Sequence, residues 1–274
     1  MPVTELTQRD QVPAISRSLL VLFRYIVRRY FRRHFHSVRL SGVHHLDSLQ
    51  GPLIIYANHG SWWDPMIAYL LAAKLFPHHK HFAPMDADAL KLYPVLRKLG
   101  IFPVEMRTPR GAARFLRTGQ AILRSGAILW VTPQGQFADT RQRPLVFKPG
   151  LAALAARMGH CTILPLAIEY AFWDERLPEA LLQFGQPIHL APDTPTDTAE
   201  ALDRRLVVAL ETTMDELKAR VLTRSPSAFE RTLSFHAAGT GGIYGLAQRL
   251  RAIVLRKPYH PEHTPSQKSE PISR

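Results

Sequence analysis

The stretch PLIIYANHGSWWDP, residues 52–65, is an uninterrupted apolar run ended by Asn58, then a short turn, then an Asp-Pro pair. The run is rich in β-branched residues and carries no polar interruption, which predicts a strand buried on both faces. A helical pattern over 65–76 follows directly. Working outward, AILWVTP (127–133) and CTILPLAIEY (161–170) have the same character and the same Gly, Pro or Asn boundaries. Helical patterns over 110–124 and 149–158 lie between them. This alternation predicts an α/β fold: a mixed, largely buried sheet covered by helices on both faces. Further on, LLQFGQPIHL (181–190) reads as another strand. The turn cluster APDTPTDTAE (191–200) then leads into a long helix from about 197 to 222.

The two ends differ from this body. Residues 11–46 hold seven arginines and no Asp or Glu, and residues 217–274 hold ten Lys/Arg against three acids. The whole chain of 274 residues carries a net charge of +13. A balanced body between basic ends points to an anionic surface as partner. Over 13–36, Arg17, Arg24, Arg28 and Arg32 recur at helical spacing opposite Leu19, Leu22, Phe23, Ile26 and Tyr30. That is a basic amphipathic helix suited to a membrane interface, or equally to a core edge with a solvated basic side. Arg24 interrupts the apolar run well short of the ~20 residues a spanning helix needs. The predicted organisation is therefore an interfacial helix over 1–37, a catalytic-sized domain over 38–222, and a basic extension over 223–274, disordered in part after 257. A nucleic-acid-binding protein is the competing reading of this charge, but no reader motif accompanies it.

The turn after the first strand carries the chemistry. His59 at a strand end has a near-neutral ring suited to proton abstraction. Asp64, five residues on, can return to the other ring nitrogen, fix its tautomer and support the imidazolium, with a substrate hydroxyl as nucleophile. The same Asp64 before Pro65 also suits a helix N-cap. Trp62 and Trp63 between them could shield the site from water or pack in the core. Arg110, Arg114 and Arg117 fit a solvated helix face as well as an anion site. Cys161 reads as a small core hydrophobe. His78, His79 and His81 lack accompanying ligands at zinc spacing and read as surface histidines, so no metal is expected.

NHGSWWDP resembles the His-x4-Asp block of the glycerolipid acyltransferases, the family that includes lysophosphatidic acid acyltransferases. Three further stretches resemble that family's later blocks in order: Gly100 to Arg107, Thr132-Pro133-Gln134-Gly135, and Ile163 to Ala167. The resemblance spans roughly residues 50 to 170. It implies acyl transfer from acyl-CoA or acyl-carrier protein to a lysophospholipid or glycerol-phosphate hydroxyl, with no other cofactor. It implies His59 and Asp64 as catalytic residues, and Arg107, Gln134, Gly135, Lys148 and Asn58 around the substrate. Gly135 would form a tight turn whose backbone N–H groups face an anion or developing oxyanion. The chain departs from the pattern at Gln134, where the family has glutamate. It departs again at Phe137, where an arginine is expected, leaving Arg141, Arg143 or Lys148 for any phosphate. Met106 precedes Arg107 with one residue more than the usual spacing. These departures admit a glycolipid, aminolipid or pigment hydroxyl as acceptor, or a lipid-binding relative without turnover. The expected location is peripheral or monotopic on the cytoplasmic face of a membrane, against anionic lipids, with no nucleic acid partner.

Overall fold

The computed structural model describes residues 12–191 and 198–234. Helix α1 (Arg17–His34) is capped by the Ser16 hydroxyl and is followed by β1 (Ser37–Ser41). Then come β2 (Leu53–Ala57), α2 (Asp64–Leu75), β3 (His81–Asp86), the short α3 (Ala87–Leu92) and β4 (Ile101–Val104). Next are α4 (Pro109–Arg124), β5 (Ile128–Val131), α5 (Gly150–Met158) and β6 (Cys161–Ala171). The chain continues through β7 (Glu179–Phe184), β8 (Ile188–Leu190), α6 (Ala199–Leu222) and β9 (Arg231–Ser234). The segment read as disordered after 257, and the turn residues 192–197, lie outside the described residues.

The nine strands form one sheet in the order β4-β3-β5-β2-β6-β7-β1-β9, with β8 pairing β6. β4, β3, β5, β2 and β6 run parallel, while β6–β7, β6–β8 and β1–β9 are antiparallel. The mixed sheet expected from the alternating runs is therefore present. Strand alternation explains the two cores. Ile54 and Tyr56 of β2 point to the side covered by α4, α5 and α6, whereas Leu53, Ile55 and Ala57 point to the side covered by α1 and α2. Every residue of β2 is buried, so its side chains are apolar apart from the Tyr56 hydroxyl, which donates to Leu206 O at 2.9 Å.

Three details differ from the sequence expectation. The run 181–190 is two strands, because Gly185-Gln186-Pro187 breaks the ladder and Gly185 N–H bonds Pro165 O instead (3.0 Å). Strands β3 and β4 lie in stretches whose His and Pro content hides them. The α1 stripe packed against the body is Phe23, Val27 and Phe31, which leaves Leu22, Ile26 and Tyr30 exposed.

β2 and β5 are neighbours, yet the chain leaves β2 into α2 on one face and leaves β5 toward α5 on the other. Such a switch point opens a crevice at the carboxyl ends of the two strands. His59 follows β2, and Gln134 follows β5.

Candidate active site

Two residues after β2 ends, the His59 ring meets Asp64, with Nδ1 2.8 Å from Oδ2. Asp64 is the first residue of α2, and its carboxylate does not cap the helix as the Asp-Pro pair suggested. It turns back to the loop, where Oδ2 also accepts the Ser61 N–H at 2.9 Å. Tyr170, near the end of β6, donates its hydroxyl to Oδ1 at 2.7 Å. The carboxylate is almost wholly buried, while the His59 ring keeps 17% of its surface exposed. Among the described residues Nε2 of His59 has no hydrogen-bond partner. A bond from Nδ1–H to a carboxylate leaves Nε2 as the basic nitrogen. That arrangement can accept a proton from an alcohol.

The loop is held from three directions. Asn58 is 2% exposed, and its side chain pairs with both backbone groups of Ile168 at 2.8 and 2.9 Å. It therefore staples the loop to β6 and does not face a substrate, a correction to the expected contact. Gln134 is buried, and its Oε1 accepts the backbone N–H of His59 at 2.9 Å. On the far side His59 O accepts from Ala138 N–H at 2.8 Å. The Phe137 ring lies 4.4 Å from the His59 ring and is itself largely exposed.

The turn expected at Gly135 is present, with φ at 66°. Its own N–H closes the turn onto Thr132 O (3.0 Å) and so does not face an anion. The Lys148 side chain lies over it: a Cβ on Gly135 would stand 2.6 Å from Lys148 Cε, and Lys148 N–H bonds Pro133 O. Of the candidate cations, Arg141 pairs with Asp139 at 2.6 Å and Arg143 with Asp215 at 3.2 Å. Lys148 is exposed and forms no ion pair among the described residues. Arg107 is exposed just before Thr108, the cap of α4, beyond the end of β4 and two strands away from β5.

The tryptophans part company. Trp63 lies among Tyr30, Phe31, His34 and Phe35 with ring centroids 4.8 to 5.6 Å apart, which ties the loop to α1. Trp62 is 57% exposed beside Tyr30. Cys161 is buried, and burial pushes its thiol up to about 12, so it is inert core. His78 and His79 are exposed, but His81 is not a surface residue: it lies in β3, bonding Phe76 O at 3.0 Å and accepting from Trp130 Nε1 at 3.1 Å. Burial lowers its pKa to about 4, so it stays neutral. The residue that sequence reasoning missed at the site is Tyr170. Its only sequence signal is its place two residues after Ile168 on the same side of β6.

The acyltransferase family model matches residues 37–169, from the start of β1 to the end of the apolar part of β6. Over these residues the chain carries an acyltransferase-family domain. Among solved structures, the 1-acyl-sn-glycerophosphate (LPA) acyltransferase PlsC from Thermotoga maritima superposes with a TM-score of 0.55 at 18% identity, covering 73% of this chain and 80% of that one. At that identity the likeness is one of fold. The pilus retraction motor PilT with bound ADP reaches a TM-score of 0.28 at 14% identity, over 68% of this chain and 58% of that one, and carries no argument. No curated protein sequence matches the chain. The family match points to acyl transfer, and the structural likeness is to the fold of such an enzyme.

Proposed function

We propose that this acyltransferase moves a fatty acyl group from a thioester, acyl-CoA or acyl-carrier protein, to a hydroxyl of a lipid acceptor at an anionic membrane surface. The observation that carries the proposal is the 2.8 Å contact between the His59 ring and a buried carboxylate, at the mouth of the β2/β5 crevice. The acceptor oxygen attacks the thioester carbonyl carbon while His59 Nε2 takes the hydroxyl proton. Asp64 supports the imidazolium. Collapse of the tetrahedral intermediate breaks the C–S bond, and the proton passes from His59 to the departing thiolate. Loss of the ring in His59→Ala removes about 10²- to 10⁴-fold of rate from a folded protein, read as transfer of labelled palmitate from palmitoyl-CoA. Retention of most turnover by this variant overturns the mechanism.

For the acceptor, Gln134 and Phe137 at the positions where the resemblance expects glutamate and arginine favour a head group with a small anionic demand, near which exposed Lys148 lies over the Gly135 turn. The second reading is therefore an acceptor without phosphate. A panel of lysophosphatidate, a monoacylglycerol, a glycolipid and a lyso-aminolipid against one labelled donor separates the two.

A further inference from the structure

Asp64 has two oxygens, and the proposed relay uses only one. Oδ2 receives His59 Nδ1 and the Ser61 N–H, while Oδ1 receives Tyr170 alone among the described residues. A carboxylate held on one oxygen can still turn about its Cβ–Cγ bond and carry Oδ2 away from the imidazole. We propose that Tyr170 is a positioning residue of this enzyme: its phenol locks the Asp64 carboxylate so that Oδ2 stays on His59. The inference rests on the relay proposed above.

Three observations support it. Tyr170 lies on β6 two residues after Ile168, whose backbone grips Asn58, so one strand holds both ends of the 58–64 loop. The ring is fixed in turn against Phe35, with centroids 5.6 Å apart. Burial first, and the Asp64 charge beside it, push the phenol well above its ordinary range, so the hydroxyl remains a donor at every pH at which a histidine base works. A hydroxyl in that place has no strand or helix to stabilise. Its partner is the carboxylate.

Tyr170→Phe keeps the ring and its packing and removes only the donor. With palmitoyl-CoA and the best acceptor of the panel, kcat is expected to fall about 10- to 100-fold, as for a lost hydrogen bond to a buried charge, with each KM within about twofold. The double variant Asp64→Asn/Tyr170→Phe is expected to match Asp64→Asn, because Tyr170 acts only through that carboxylate. A Tyr170→Phe enzyme with wild-type kcat overturns the inference. So does a double variant that loses the further factor seen for Tyr170→Phe alone, since a residue needed merely for folding would lower both backgrounds alike. His59→Ala separates the two levels: if it stays active, the relay and the role of Tyr170 fall together. If it is dead while Tyr170→Phe is unimpaired, only the role of Tyr170 falls.

Discussion

Gln134 shows how one atom can do the work of a family residue. Its Oε1 accepts the His59 N–H, and a glutamate carboxylate would offer an oxygen in the same place. The position thus needs an acceptor more than a charge. Gln134→Met keeps the volume and strands a buried N–H, at a cost of about 1–3 kcal/mol by urea denaturation, and loosens the loop that carries His59. Gln134→Glu restores the acceptor and is expected to hold the loop, with turnover well above that of the methionine variant. Equal turnover in the two would show that the oxygen is not what matters. His59 and Asp64 were legible in the sequence because a fixed spacing across one turn is local. Tyr170 was not, since 106 residues separate it from the carboxylate it holds. Asn58 was misread for the same reason: its partner, Ile168, lies on another strand.

At the scale of elements, the runs over 52–58, 127–133 and 161–170 were legible as strands because most of their side chains are apolar and their centres are buried on both faces. They became β2, β5 and β6, the centre of the sheet. β1 alternates apolar Val38 and Leu40 with Ser37, Arg39 and Ser41, a pattern that reads as a half-buried strand and hides the burial of its polar face. Those polar residues are buried against their own partners. Glu179 at the start of β7 accepts from Ser37, from Arg39 at 3.2 Å and from His36 at 2.7 Å. The Glu179 hydrogen bond raises the His36 pKa above its ordinary 6.5. Burial pushes Glu179 up, but the hydrogen bonds from His36 and Ser37 and the Arg39 charge outweigh it, leaving it below its ordinary 4.5. The signs follow. The His36 contribution is complete below pH 6.5 and fades as pH rises through the raised value. The Glu179 contribution is complete above pH 4.5 and fades as pH falls through the lowered one. The junction of β1 and β7 is therefore firmest between these two values. Glu179→Gln is expected to cost about 3 kcal/mol, because Arg39 is left buried without its counter-charge. It is also expected to flatten the decline in stability from pH 6.5 to 8 in urea titrations. A variant as stable as wild type, with the same slope, would remove this pair from the account of the fold.

Over the whole molecule, the two faces of the sheet present different surfaces. No helix among the described residues is long and apolar enough to cross a membrane. On the α1 side, Leu22, Ile26, Tyr30 and Trp62 form an exposed apolar track that ends at the loop carrying His59, and Arg28, Arg29, Arg32 and Arg33 are exposed on the same helix. On the opposite side α4 exposes Arg110, Arg114 and Arg117 but no large apolar side chain of its own. A planar bilayer can meet only one of these faces, and insertion needs apolar side chains as well as charge. The proposed membrane contact therefore belongs to α1. Each Lys or Arg near an anionic surface is worth about 1 kcal/mol, so Arg28→Gln/Arg32→Gln should weaken co-sedimentation with phosphatidylglycerol vesicles about 30-fold at low salt. Leu22→Gln/Ile26→Gln should weaken it at low and high salt alike, since apolar burial is not screened. Arg110→Gln/Arg114→Gln removes as much charge from the other face and should leave vesicle binding as it was. If the α4 pair weakens binding as much as the α1 pair, the attraction is to net charge alone, and α1 has no special place at the membrane.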